Sequence, residues 1–260
     1  MDDKLLDRQT ELQNLYLRNL QEIKWRTEAL DDIYLKKKST RFFITNVEFC
    51  VLQIRKILEL IALSALVSDA DIYREKLDNI EKMWNARLIL RDIEKVHPEF
   101  YPQPVYIDPN NQYNIVNITE DYLTKDLFIR IYEKCGKILH QASPFENIKD
   151  VESEYKRVWN DIPEWRRLII RLLNAHVIKL YNSDLFYFIM ADKKTGRPHG
   201  NILSIVTEED ENGQTTHGVA GLDGAEHRPH CRPVSQLHHG DAGRGTQHAG
   251  EEGVQAGGQF

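Results

Sequence analysis

A chain of 260 residues has room for one large domain or two small ones, and its 41% hydrophobic and 28% charged content is that of a globular protein. The net charge of −6 gives no overall attraction for nucleic acid or anionic lipid, so either partner would require a local basic patch. The cysteines Cys50, Cys135 and Cys231 show no C-x-x-C spacing, and a reducing cytoplasm is the simplest compartment for them.

The N-terminal MDDKLLDRQTELQ has no apolar h-region, so no signal peptide is expected. Residues 3 to 38 read as a long amphipathic helix, with Leu5, Leu12, Tyr16, Ile23, Leu30 and Ile33 or Tyr34 near heptad spacing. Lys36, Lys37 and Lys38 close it, favourable against the negative end of the helix dipole. The helix is expected to pack on the body of the protein, a dimer arm being the alternative. Residues 40 to 67 follow, apolar on most sides, which marks a central core helix or a membrane span. Glu48, Arg55, Lys56 and Glu59 interrupt the run and argue against a span, which needs about 20 uninterrupted apolar residues. The expected fold class is therefore mainly α, a helical bundle around this buried central helix with a small β-hairpin element.

Asp69 or Asp71 can cap a next helix over 71 to 96, with Leu77, Ile80, Trp84, Leu88 and Ile93 inward. It ends at His97-Pro98, because proline disfavours helical geometry in the residue before it. Residues 98 to 122, rich in Pro, Asn and Tyr, read as a hairpin or ordered loop centred on 105 to 118. A helix over 124 to 141 has Leu127, Ile131, Cys135 and Ile138 inward, and Gly136 in mid-helix points to a close contact there. Two further helices are expected over 147 to 160 and 163 to 181, with Pro163 opening the second. A hairpin near 185 to 207 completes a domain spanning 1 to 210. Residues 211 to 260 read as a low-complexity, disordered or foreign tail; from 217 onward there is no Lys, Ile, Tyr or Trp. Its His227, His230, Cys231, His238 and His239 match no zinc-site spacing, so no metal and no cofactor is expected.

The candidate functional residues are Arg55, Glu59, Arg91, His97 and His140. Glu48, Arg55 and Glu59 are seven and four apart and share one helical face, where Glu59 can pair with Arg55. The pair is either a structural ion pair or a rigid arginine held for a phosphate or carboxylate. His140 at a helix C-terminus is either a capping residue or a group brought beside Arg55 and Glu59, Gly136 permitting the approach. In Arg91-Asp92-Ile93-Glu94-Lys95-Val96-His97, an arginine is followed by a polar residue and, six positions on, a histidine. On an unbroken helix these two would stand about 240° apart, and Pro98 is what would let the His97 ring turn back. This motif in an all-helical domain resembles the HEPN family, over residues 40 to 180 at most. The resemblance implies metal-independent cleavage of an RNA substrate by a homodimer, with His97 as general base and Arg91 on the phosphate. Arg171 and His176 have a similar spacing, but His176 lies on the apolar stripe with Ile169 and Leu172 and reads as a satisfied core histidine.

Two functions are thus expected from different classes. The first is a cytoplasmic helical interaction or regulatory module of unknown partner, without a membrane. The second is a HEPN-like ribonuclease or toxin of a microbial conflict system.

Overall fold

The computed structural model describes residues 3–76, 85–108, 111–140, 147–181, 185–209 and 215–221. The first amphipathic run folds as α1 (Asp3–Tyr34), burying Leu12, Tyr16, Leu20, Ile23, Leu30 and Ile33 at spacings of three, four and seven. The apolar run after Phe42 folds as α2 (Phe43–Ser68), with residues such as Val47, Val51, Ile54, Leu58, Ile61 and Ala65 buried. The α2 helix packs against α1, against α4 (Ala86–Val96), α5 (Lys125–Leu139) and α6 (Ile148–Leu173), and against the short α3 (Ala70–Lys76). Being apolar on most sides, it is covered on most sides, and none of the helices described is long and apolar enough to cross a membrane.

The helix expected over 71 to 96 is present as two, α3 and α4, and Leu77, Ile80 and Trp84 lie outside the described residues. Asn85 starts α4 by accepting the Leu88 N–H at 3.3 Å. The buried face is Ala86, Ile89, Leu90 and Ile93, which leaves Leu88 exposed rather than inward. The chain leaves the helix at His97, whose φ of −139° and ψ of 93° are the extended geometry favoured before Pro98. In α5, Thr124 caps the start and Phe128, Ile131, Tyr132, Cys135 and Ile138 are buried.

Two helices were expected where α6 runs unbroken from 148 to 173, with Pro163 inside it. Proline removes one helical hydrogen bond and costs about 3 kcal/mol. Here the buried positions Val158, Ile162, Trp165, Ile169 and Leu172 keep helical spacing on both sides of it, and that packing outweighs the local cost. The helix then stops at Asn174, whereas it was expected to continue to 181.

Residues 175–179 instead form β3 (Ala175–Lys179), the piece that turns two hairpins into one sheet. The first hairpin is β1 (Gln103–Asp108) with β2 (Asn111–Asn117); the second is β4 (Leu185–Ile189) with β5 (His199–Glu209). The β3 strand pairs with β1 through Pro104 and His176, and with β4 along its whole length. The sheet order is β2-β1-β3-β4-β5-β6, antiparallel throughout. The last strand, β6 (Thr215–Gly221), pairs with β5 from Leu203 to Glu209, so the expected tail contributes a strand before position 222. The remainder of that tail, with His227, His230, Cys231, His238 and His239, lies outside the described residues.

The sheet is joined to the bundle by α1. The His176 ring is fully buried: its Nδ1 lies 3.1 Å from the Leu173 carbonyl oxygen and its Nε2 lies 2.8 Å from the Tyr16 hydroxyl. A carbonyl only accepts, so Nδ1–H donates to Leu173 and the Tyr16 hydroxyl donates to Nε2. Both ring nitrogens are satisfied in the neutral form, as a core histidine requires. Phe188 stacks on Tyr16 at 4.0 Å between ring centres, and its ring occupies the place of a side chain on Gly200, its partner on β5. Gln13 closes the junction by donating to the Gly200 carbonyl at 2.6 Å.

Burial pushes the His176 pKa down to about 4. A depressed folded pKa makes this histidine contribute stability above its unfolded pKa of about 6.5, and that contribution is lost as pH falls toward 4. Stability measured by urea unfolding is expected to fall by about 3 kcal/mol from this group over that window. His176→Gln, which has no proton to gain there, should flatten that part of the profile; an unchanged slope would place the titration elsewhere.

Candidate functional site

Arg55 is half-buried, and three neighbours fix it. Its Nε donates to Glu59 Oε1 at 3.3 Å, and a terminal nitrogen donates to the Tyr132 hydroxyl at 3.0 Å. The guanidinium carbon stands 4.4 Å from the centre of the Tyr132 ring. Lys56 also reaches Glu59, at 2.7 Å. A Cβ on Gly136 would lie 2.8 Å from Arg55 Nη1, so the mid-helix glycine is the gap in α5 that admits the guanidinium. The third charged residue of this face, Glu48, accepts from the Tyr155 hydroxyl of α6 at 2.8 Å. Arg55, braced by Glu59, therefore ties α2 to α5 through Tyr132, and Glu48 ties α2 to α6 through Tyr155.

His140 is not part of that cluster. It is the C-cap of α5, its backbone N–H bonding to the Gly136 carbonyl at 3.2 Å, and its side chain is exposed.

Arg91 and His97 are separated in a different way. Arg91 is an exposed side chain held by Asp92, with Nε to Oδ1 at 2.9 Å, and Lys95 reaches the same carboxylate. His97 is 7% exposed and turns inward, its Nδ1 lying 3.5 Å from Asp69 Oδ2. Pro98 does break the helix at His97, but the ring turns into the core and not toward Arg91. Asp69 ends α2, and both its oxygens lie 3.1 Å from the Tyr181 backbone N–H. The Tyr181 ring meets His97 edge-on at 6.1 Å. Burial raises the Asp69 pKa to about 6 and lowers that of His97, so desolvation drives both groups toward their neutral forms. The pair is thus a polar contact between the end of α2, the end of α4 and the second residue after β3. Such a dyad could carry a proton chemically, but His97 and Asp69 side chains are only 8% and 9% exposed.

Sequence reasoning found Asp69 only as a cap and did not find Tyr132 or Tyr181. The missing side chain at Gly136 did signal a close contact on α5, which is with Arg55; no signal pointed to Tyr132. Among the described residues, no group of three or more His, Cys, Asp or Glu could hold a metal ion. No family model matches the chain, and no match is found among curated proteins or solved structures.

The Gly136 contact has a measurable coupling. Alanine in place of a mid-helix glycine gains about 1 kcal/mol of helix propensity when nothing obstructs the methyl group. Gly136→Ala is expected to give that gain in an Arg55→Met background and clearly less in the native chain, because there the guanidinium must move. A double-mutant cycle by urea unfolding measures the difference; equal effects in both backgrounds would mean that arginine and glycine do not meet.

Proposed function

We propose that the chain is a helical interaction or regulatory module, acting in the cytoplasm through a protein partner and without metal or cofactor. The observation that supports this most is the dispersal of Arg55, Glu59, Arg91, His97 and His140. Arg55 and Glu59 share one ion pair, Arg91 is in another with Asp92, His97 is in a buried contact with Asp69 and His140 is a cap, so the arginines and histidines that chemistry would need together stand in separate contacts. A catalytic constellation requires its nucleophile or base and its electrostatic partner within hydrogen-bond reach of one reacting atom. Ion pairs that tie helices together require only that each partner be matched, and that is the pattern of Lys134–Asp161 at 2.7 Å and of Arg166–Asp31, whose second bond is 2.6 Å, while Arg55, paired with Glu59 within α2, reaches α5 through Tyr132.

The HEPN-like ribonuclease reading, with RNA as substrate and a homodimer as the active form, would require His97 to leave Asp69 and reach a phosphate. Labelled RNA of mixed sequence and structure, incubated in EDTA with the full chain and with His97→Ala and His140→Ala, tests it. The module reading expects no cleavage above background in any of the three. Cleavage by the native chain that disappears in one histidine variant would overturn it and identify the base.

A further inference from the structure

The connection between α1 and α2 carries an unusual surface. From Leu35 to Ile44 every residue is exposed. Among the eleven large hydrophobic residues exposed in the described structure, four lie in this stretch: Leu35 at 58%, Phe42 at 61%, Phe43 at 44% and Ile44 at 42%. Lys36, Lys37, Lys38 and Arg41 are interleaved with them, on a chain whose net charge is −6. Ile33, Lys36, Lys38, Phe43, Asn46 and Trp159 line a groove beside this turn. Its apolar side is formed by Ile33, Phe43 and Trp159, the two rings 5.7 Å apart with Tyr34 behind Trp159 at 5.1 Å, and its rim is basic.

The turn is held in shape before anything binds. Asn46 Oδ1 accepts the Thr40 N–H at 2.8 Å, its amide donates to Ser39 Oγ at 3.3 Å, and Ser39 Oγ accepts the Arg41 N–H at 3.0 Å. Lys38 is anchored to Asp32 at 2.7 Å, and Arg41 lies over the Phe42 ring at 5.5 Å. Lys36 and Arg41 both take positive φ, at 58° and 83°, which disfavours side-chain-bearing residues and marks a backbone held there by its surroundings.

From this we infer that the α1–α2 turn and its groove are the docking site for an acidic, amphipathic protein segment. This rests on the reading of the chain as an interaction module and names its partner's chemistry. A bulky apolar side chain of the partner packs in the groove against the touching rings of Phe43 and Trp159, and carboxylates beside it meet Lys36, Lys38 and Arg41. An exposed apolar patch rimmed by charge of one sign selects for both features at once. A groove with an aromatic wall receives a side chain, which a bilayer surface would not supply, and a preformed turn loses little entropy on binding.

Labelled 20-residue peptides in fluorescence anisotropy test this with the full chain. One probe carries Leu and Phe at helical spacing among Asp and Glu; a second replaces Leu and Phe with Ser; a third replaces Asp and Glu with Lys. Phosphatidylserine vesicles form a separate arm. The first peptide alone is expected to bind, and Lys36→Glu with Lys38→Glu, or Phe42→Ser, should weaken it about tenfold or more. Lys95→Glu on α4 should leave it unchanged. Phe42 lies outside the core, so its variant separates docking from folding, which circular dichroism checks. Binding insensitive to the turn variants, vesicle binding without peptide binding, or no peptide bound tighter than about 1 mM overturns the proposal. Any of these would leave the module reading standing, since that reading falls on RNA cleavage in EDTA.

Discussion

The contact on which the architecture depends is the buried hydrogen bond between Tyr16 of α1 and His176 of β3, 2.8 Å long and sealed by Phe188. It joins a helix near the start of the chain to a strand 160 residues further on, and so joins the bundle to the sheet. An unmatched buried polar group costs roughly 1–3 kcal/mol, so losing either partner would leave the other as a liability in an aromatic core. The Leu173 carbonyl fixes which nitrogen carries the proton, and Gly200 leaves room for the Phe188 ring that covers the pair. Four separate segments must be in place for one neutral histidine to be satisfied.

Around α2 the same logic explains where charge is tolerated. A helix covered by four long neighbours can carry ionisable groups only along the seams between them. Arg55 and Glu59 lie on the seam with α5 and Glu48 on the seam with α6; Arg55 and Glu48 are each matched by a tyrosine hydroxyl, and Glu59 is matched by Arg55 and Lys56. The Asp69–His97 pair lies deeper, and burial disfavours its charged forms. These polar contacts differ in depth and in strength: Arg55 and Glu48 are hydrogen-bonded to a neighbouring helix, whereas His97 Nδ1, 3.5 Å from Asp69, has no hydrogen-bond partner among the described residues.

The features that face outward are of another kind. The α1–α2 turn exposes aromatic and aliphatic side chains that the core could have absorbed, and surrounds them with lysines that repel one another. Neither choice stabilises the folded chain by itself. The turn's hydrogen-bonded frame, built on Asn46 and Ser39, nevertheless holds them in one arrangement. A fixed, exposed, amphipathic surface of this kind is what the proposed docking of an acidic segment would cover.

The chain by itself determined the helices wherever an apolar period ran uninterrupted. Leu12 to Ile33 set α1, the run after Phe42 set α2, and His97-Pro98 ended α4, because periodicity and proline geometry are local constraints. It also determined that Gly136 meets something, since a helix keeps such a residue only at a cost, and that His176 is a core residue. Tertiary structure decided the rest. Pro163 reads locally as a helix start and is carried through by packing on both sides; Val177 and Ile178 fit a helical stripe as well as a strand, and only pairing with β1 and β4 selects the strand. The direction in which His97 turns after the helix breaks is likewise not local. The carboxylate of Asp69, 28 residues earlier in the chain, lies on the side it takes, and sequence spacing carries no information about a partner that only the fold brings within 3.5 Å.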